Sequence, residues 1–342
     1  MSEFDVIVIG GGPGGLSCAA ILGASGAKVL VLERKKQIGR KVCAGGITWE
    51  GLIQRIPERL IERTFTEQLI FSNWQKIRLR RKNPIIATVN RESLGQWMAE
   101  QAIRAGAQVR TGCSAREIND RSVTCTDERG NTFTARFDHL IGADGSTSAV
   151  RRFLNIPTRR IGVGMNYQVQ GRYESMEWHL NTRLFKNGYG WIFPHQESLS
   201  IGAYRPQSGI PPVRFKKSLV TWAETRGFRL ENVQPQAELI NFDYRGFQFD
   251  NKWLIGDAAG LASGLTGEGI YPAIVSGEAV ARKIIDPAYP AVEIGSLAAK
   301  QTKHLKIVDL SGGNTALCTL LMETLLFLLR LRLINFQKQL AM

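Results

Sequence analysis

A glycine-rich turn near the start of the chain restricts the fold more than any other feature of the sequence. An apolar run at 6–9 leads directly into Gly10, Gly12 and Gly15, and a second apolar run ends at Glu33. Glycines at this spacing let the backbone approach a pyrophosphate, and the helix that follows supplies free N–H groups at its N-terminus. An acidic residue at the end of the second strand can accept from ribose hydroxyls. The segment therefore predicts a βαβ unit that binds a dinucleotide, either NAD or FAD.

A second segment, 252–285, decides between these two dinucleotides. The sequence "WLIGDAAG" places Asp257 at the end of an apolar strand, where a carboxylate can accept from the ribityl hydroxyls of a flavin. Gly269 and Ile270 lie in a glycine-rich stretch at a helix start, whose backbone N–H groups can face a flavin ring. NAD-dependent dehydrogenases have no use for such a distal site. The two segments together favour FAD.

The intervening sequence changes from parallel-sheet to antiparallel-sheet character. Residues 137–154 are typical of a strand, a glycine turn and a helix, whereas 65–90 and 160–245 contain short β-branched and aromatic runs. We therefore predict an α/β fold, in which a discontinuous Rossmann-like FAD-binding domain carries an inserted antiparallel or mixed β-sheet substrate domain and C-terminal helices. The predicted domains are 1–64, 91–160 and 246–290 for FAD, 65–90 and 161–245 for the substrate, and 291–342 for the C-terminal helical segment.

Charge and cysteine usage exclude several functional classes. The net charge of +14 calls for an explanation, but the sequence has no nucleic-acid-binding motif, so we expect no nucleic acid partner. An anionic membrane surface, a phosphorylated substrate and solubility alone stay open as explanations. Five cysteines without a C-x-x-C pair argue against a disulfide framework and a zinc site, and favour a reducing compartment. We expect no signal peptide at "MSEFDVIVIGGG" and a cytoplasmic protein, with peripheral membrane contact left open.

The last segment, 313–342, is predicted to be a strongly apolar helix. From Ala316 to Leu329 it is interrupted by few polar residues, and Arg330 and Arg332 follow. It is too short and too interrupted to predict a membrane span. An interfacial helix with basic anchors and a buried helix that closes the substrate lobe are equally compatible with this pattern.

Three segments in order resemble the FAD-dependent oxidoreductases with a para-hydroxybenzoate-hydroxylase-type fold: "GGGPGG" with Glu33, "GADGSTSAVRR" and "GDAAGLASGLTGEGIYPAIVSGEAVA". Within that group, "RKVCAGG", "YGWIFP" at 189–194 and "LTGEGIYPA" are most similar to the geranylgeranyl reductase family. The resemblance implies FAD contacts at Gly15, Glu33, Cys43, Ala44, Gly46, Arg91, Ala115, Asp257, Gly269 and Ile270. Gly10, Gly12, Arg34 and Asp144 complete the predicted cofactor-binding set.

The resemblance also implies an activity. Reduced FAD would reduce carbon–carbon double bonds in an isoprenoid of the geranylgeranyl type or a similar hydrophobic or lipid substrate. The sequence has no second G-x-G-x-x-G, so NAD(P)H would reduce the flavin without a domain of its own, or a ferredoxin-like donor would replace it. The family's D-P-L-T-G is replaced by Ser263-Gly264-Leu265-Thr266-Gly267, from which we expect a looser loop beside the flavin ring.

Three residues are candidates for the reaction itself: Cys43, Tyr189 and Trp191. Cys43 is either a small packing residue or a proton donor and tuner beside the ring, with Arg40 and Lys41 to favour its thiolate. The aromatic residues of "YGWIFP" form either a wall of the substrate cavity, as the resemblance implies, or ordinary sheet core. Cys43, Tyr189 and an ordered water remain alternative proton donors.

Two other functions remain compatible with this fold, because one fold hosts many chemistries. The first is an FAD-dependent monooxygenase, either an aromatic hydroxylase or a halogenase. Halogenases carry W-x-W-x-I-P, whereas Tyr189 and Phe193 replace two of those positions here. The second is a non-catalytic, membrane-associated flavoprotein that carries a lipid or senses redox state at a membrane.

Overall fold

The computed structural model describes residues 2–39, 41, 43–48, 55–206 and 211–334. Its strands are β1 (Ser2–Ile9), β2 (Val29–Leu32), β3 (Gly46–Thr48), β4 (Ile61–Phe65), β5 (Glu67–Phe71), β6 (Lys76–Arg80), β7 (Ile86–Val89), β8 (Gln108–Arg110), β9 (Ser114–Ile118), β10 (Ser122–Thr126), β11 (Thr132–Gly142), β12 (Ile161–Gln170), β13 (Glu177–His179), β14 (Tyr189–Pro194), β15 (Ser198–Arg205), β16 (Gln236–Asn241), β17 (Gln248–Phe249) and β18 (Lys252–Leu254). Its α-helices are α1 (Pro13–Ala24), α2 (Arg91–Arg104), α3 (Ala149–Phe153), α4 (Thr182–Phe185), α5 (Pro212–Thr225), α6 (Gly256–Ala259), α7 (Ile270–Ile285), α8 (Val292–Gly312) and α9 (Thr315–Arg330).

The first sheet has a parallel centre. Its strand order is β17-β18-β11-β1-β2-β8, in which β18, β11, β1, β2 and β8 run parallel. The apolar runs at 6–9 and 29–32 are buried throughout, as expected for strands covered on both faces. Helix α1 packs against α2 and α7 over this sheet. The predicted α/β fold with a Rossmann-like unit is therefore confirmed.

A second sheet joins two separated parts of the chain. Its order is β16-β12-β15-β14-β13-β5-β6, and its strands are antiparallel except for the β13–β5 pair. Helix α5 covers it with Phe215, Leu219 and Trp222, which pack against Ile192 and Ile201. The segments predicted as an inserted sheet thus meet in one mixed sheet, apart from β7. That strand pairs with β3 and β4 in a small third sheet. The division into domains at the stated boundaries stays a prediction.

The C-terminal helix α9 is docked on the β5–β6 hairpin. Its buried face, which includes Met322 and Leu326, packs against Ile70 and Ile77. The buried carboxylate of Glu323 accepts hydrogen bonds from the Ser72 hydroxyl at 2.8 Å, the Trp74 amide at 3.1 Å and the Gln75 side chain at 2.8 Å. None of the helices described is both long and apolar enough to cross a membrane. One face of α9 is therefore buried against the second sheet. This agrees with the interpretation of the C-terminal segment as a buried helix that closes the substrate lobe.

Replacement of Glu323 tests this docking. We expect Glu323→Ala to lower the free energy of unfolding by about 2 kcal/mol, because it removes three hydrogen bonds between α9 and the half-buried donors of the hairpin. Thr324→Ala, at the adjacent exposed position, should change it by less than about 0.5 kcal/mol. Urea unfolding followed by circular dichroism measures both variants. Equal stability of Glu323→Ala and the parent protein would contradict the role given to these hydrogen bonds.

Candidate active site

A cavity of about 500 Å³ is lined by residues from all three sheets. It lies outside the carboxyl ends of β1, β2, β11 and β18, which is where open α/β sheets bind ligands. At its other end the wall comes from the aromatic strands of the second sheet. The predicted residues in its wall are Gly10, Gly12, Glu33, Arg34, Cys43, Ala44, Gly46, Arg91, Ala115, Asp144, Tyr189, Trp191, Asp257, Gly269 and Ile270.

The glycines of the β1–α1 turn have three different roles. Gly10 has a φ of +111°, and a Cβ there would lie 2.3 Å from the carbonyl oxygen of Ala143. Gly12 caps α1 and faces open space, with no heavy atom within 4 Å of an added Cβ. Gly15 does not line the cavity: a Cβ there would lie 2.1 Å from the carbonyl oxygen of Gly10. Gly15 therefore lets α1 pack on β1, and Gly12 leaves the helix N-terminus open to a ligand.

Glu33 is held in place at the end of β2. Its Oε2 accepts from the amide of Gly11 at 2.8 Å, and its Oε1 accepts from the amide of Lys35 at 2.8 Å. Each carboxylate oxygen keeps a further lone pair for a hydroxyl donor. The geometry suits the ribose contact predicted for Glu33.

Two half-buried charged side chains in the wall have buried polar atoms with no hydrogen-bond partner among the residues that the structure describes. They are Nε and Nη1 of Arg91 and Oδ1 of Asp144. The other carboxylate oxygen of Asp144 accepts from the amide of Ala149 at 2.5 Å, and burial raises the pKa of this carboxyl. Buried polar groups are normally hydrogen-bonded, so these atoms indicate a ligand with its own donors and anionic acceptors. A dinucleotide such as FAD has both, and the residues present fit it.

Asp257 and Gly269 meet at the distal part of the cavity. A Cβ on Gly269 would lie 2.9 Å from Oδ1 of Asp257. The other carboxylate oxygen accepts from Nζ of Lys41 at 2.9 Å. Burial acts to lower the pKa of Lys41, but the charge and hydrogen bond of Asp257 outweigh it, so the pKa is raised. This ion pair was not predicted: Lys41 was expected to act on Cys43, and Arg40 lies outside the described residues.

The "CAGG" segment is fixed from behind by the second sheet. A Cβ on Gly45, where φ is +75°, would lie 2.4 Å from Cε1 of His195, and one on Gly46 would lie 2.5 Å from the ring of Phe193. Gly46 lines the cavity, whereas Gly45 is buried against His195 and does not. A side chain at Gly45 is therefore excluded by protein packing against His195.

His195 has a role that its sequence context does not reveal. Its Nε2 lies 3.0 Å from the carbonyl oxygen of Ala44, and its Nδ1 lies 2.5 Å from Oε2 of Glu62. Because a carbonyl oxygen can only accept, Nε2 carries a hydrogen. His195 thus holds the loop that places Cys43 and Ala44 in the cavity wall. The Sγ atom of Cys43 lies 3.4 Å from the amide of Gly45.

The aromatic residues are both sheet core and cavity wall. Trp191 and Phe193 belong to a buried cluster with Tyr204, and their inner side lines the cavity. The hydroxyl of Tyr189 donates to the carbonyl of Thr266 at 2.5 Å, and burial raises its pKa. The indole N–H of Trp191 donates to the Ser200 hydroxyl at 3.1 Å. The polar atoms of these rings are satisfied by the protein, so the cavity meets their apolar surfaces.

The loop before α7 is held by several hydrogen bonds. The buried hydroxyl of Ser263 accepts from the amides of Leu265 at 3.2 Å and Thr266 at 3.0 Å, and lies 2.8 Å from Nδ1 of His304. The hydroxyl of Tyr204 donates to the carbonyl of Gly264 at 2.9 Å. Side-chain hydrogen bonds thus constrain this loop where the family pattern has proline, and its looseness relative to that pattern stays a prediction.

Comparison with known proteins identifies the cofactor class. Residues 3–171 match the FAD binding domain family. The chain therefore carries an FAD-binding domain over these residues. It is 29% identical over 294 residues to geranylgeranyl diphosphate reductase of Rhodobacter capsulatus, covering 80% of this chain and 73% of the relative. It is 26% identical over 321 residues to digeranylgeranylglycerophospholipid reductase of Methanocella arvoryzae, covering 87% and 81%.

The flavoprotein also shares its fold with a solved structure. A geranylgeranyl bacteriochlorophyll reductase-like protein from Thermoplasma acidophilum aligns with a TM-score of 0.74 at 22% identity, over 90% of this chain and 83% of that one. The residues that the structure describes contain no cluster of His, Cys, Asp and Glu that could hold a metal ion. Which residues of the flavoprotein contact FAD stays a prediction from the geometry above.

Replacement of Ser263 tests whether the loop contributes to the cofactor site. Ser263→Ala leaves two loop amides without their acceptor, so we expect FAD to bind about fivefold more weakly, or about 1 kcal/mol. Titration of the apoprotein with FAD, followed by flavin fluorescence, measures this change. Ser296→Ala is the matched control, because that exposed hydroxyl bonds to a carbonyl of its own helix, α8. Unchanged FAD affinity in Ser263→Ala would show that this loop does not contribute to FAD binding.

Proposed function

We propose that this flavoprotein reduces carbon–carbon double bonds of an isoprenoid of the geranylgeranyl type or a similar hydrophobic substrate. One observation supports this most strongly: the polar, glycine-rich cofactor wall and an apolar aromatic wall belong to the same cavity. The apolar part includes Met165, Trp178, Trp191, Phe193 and Ile240. A polyprenyl chain needs apolar contact and few hydrogen bonds, which is what such a wall supplies. The names of the similar reductases agree with this substrate class.

The residues of the wall would bind and orient the substrate and exclude water. Reduced FAD, when bound, supplies a hydride to one alkene carbon. The other carbon needs a proton, and we propose that the thiol of Cys43, which lines the cavity, donates it. Tyr189 is less suitable, because its hydroxyl hydrogen is directed at the carbonyl of Thr266. After proton transfer the Cys43 thiolate regains its proton from solvent.

The electron donor is proposed to be NAD(P)H or a ferredoxin-like protein. The comparisons support FAD and leave the donor open. Anaerobic mixing of the FAD-loaded protein with NADPH, with NADH or with reduced ferredoxin distinguishes the donors by the rate at which the flavin absorbance bleaches.

An anaerobic turnover experiment tests the proposed reaction. The FAD-loaded protein is reduced without oxygen, and a geranylgeranyl lipid is then added while the flavin absorbance is followed. We expect the flavin to reoxidise and mass spectrometry to detect a product heavier by two hydrogens per reduced bond. If the flavin stays reduced until oxygen enters, and an aromatic substrate then speeds its reoxidation, the protein is a monooxygenase. Binding of the lipid with neither reaction would make it a non-catalytic carrier.

Replacement of Cys43 tests the proton donor. We expect Cys43→Ala to slow reoxidation of the flavin by the alkene by about a hundredfold, the usual contribution of a positioned acid. Cys113→Ala is the matched control, because that thiol also lines the cavity, beside Ala115. Single-turnover kinetics measures both variants after equal FAD loading has been verified by absorbance. Equal rates in Cys43→Ala and the parent protein would show that water or another group donates the proton.

A further inference from the structure

An apolar stripe runs along the solvent side of α9. Leu317, Leu320, Phe327 and Leu331 are 38%, 59%, 52% and 50% exposed. With Thr324 they follow a spacing of three and four residues, which places them on one helix face. The opposite face is buried on the β5–β6 hairpin. Core packing therefore does not account for the exposed stripe, because a separate apolar face of the helix packs against the core.

Helix α8, which packs against α9, adds to the same kind of surface. Towards its end Ile307 and Leu310 are exposed at 42% and 56%, together with Lys303 and Lys306. Over the ranges that the structure describes, no carboxylate forms an ion pair with either lysine. The nearby Asp309 is paired with Arg160. Arg330 and Arg332 are exposed at the end of α9.

We propose that this α8–α9 surface docks on an anionic lipid bilayer. It combines exposed leucine and phenylalanine side chains with basic residues, which is the composition of a segment that lies in the membrane interface. Trp74 is 72% exposed and follows β5, and its backbone amide donates a hydrogen bond to the Glu323 carboxylate of α9. Tryptophan prefers the depth of the lipid headgroups. The net charge of +14 makes a second copy of the chain a poorer partner for this surface than an anionic membrane.

The same helix lies directly behind the cavity wall. Trp178 and Tyr189 pack against the cluster that contains Met322 and Leu326 of α9, and both also line the cavity. A bilayer at the outer face of α9 is thus separated from the cavity by one helix and one layer of aromatic side chains. This second step rests on the proposed function: a lipid substrate would be drawn from the membrane on which the protein sits.

Vesicle flotation with the FAD-loaded protein tests the docking. Phosphatidylcholine vesicles are compared with vesicles that contain phosphatidylglycerol in addition, at low and at high salt. We expect binding to the anionic vesicles that weakens with salt. Leu320→Ser with Phe327→Ser should weaken it by about tenfold or more through lost apolar burial. Val213→Ser with Ile103→Ser is the control, because those side chains are exposed on other helices.

A charge-matched pair of variants distinguishes binding through the α8–α9 surface from attraction by the net charge of the whole protein. Lys303→Gln with Lys306→Gln should weaken binding by about fivefold for each lysine. Lys216→Gln with Lys217→Gln, which removes the same charge from exposed positions of α5, should leave it unchanged. An equal loss of vesicle binding in both pairs would contradict docking through the α8–α9 surface and would indicate attraction by net charge alone.

Two further results would also overturn the proposal. One is absence of binding to either kind of vesicle. The other is a dimer in solution, detected by analytical ultracentrifugation, that Leu320→Ser with Phe327→Ser dissociates, since a second copy would then cover the stripe. Flavin absorbance shows whether each variant still holds FAD. Vesicle binding does not depend on turnover, so failure of the alkene reductase test leaves this result standing, and the reverse also holds.

Discussion

Two tyrosine hydroxyls fix the second sheet to the cofactor side of the cavity. Tyr189 in β14 and Tyr204 in β15 donate to carbonyls of the loop before α7, at Thr266 and Gly264. A buried hydroxyl without an acceptor costs about 1–3 kcal/mol, so the sheet and the loop are held together in this arrangement. The cavity depends on this contact, because its two kinds of wall come from elements joined here.

Local patterns predicted the strands, turns and helices that carry the glycine-rich end of the cavity. The β1–α1 turn, Glu33 and the strand before Asp257 each follow from residues close in sequence, where periodicity and glycine spacing carry the information. Gly15 illustrates how far such a pattern reaches. Its place in the motif is read from the sequence, but the structure is needed to see that it packs the helix on the strand and does not line the cavity.

Contacts between distant segments could not be predicted in the same way. His195 lies 151 residues from Ala44, and no spacing rule links a strand end to a loop that far away. The same holds for Ser263 with His304 and for Lys41 with Asp257. Loss of a proline in the loop before α7 is visible in the sequence, whereas the hydrogen bonds that constrain this loop depend on tertiary packing. The fold class needed only the alternation of strands and helices.

The two ends of the cavity differ in what an arriving cofactor has to rearrange. The carboxylate of Glu33 is already oriented by two backbone amides, so little conformational freedom is lost when a ribose binds there. Asp257 already holds the ammonium of Lys41, so hydroxyl groups at that end must share or replace an existing ion pair. With FAD in the predicted orientation, this asymmetry would favour an order of assembly in which the adenosine half binds first and the flavin half afterwards.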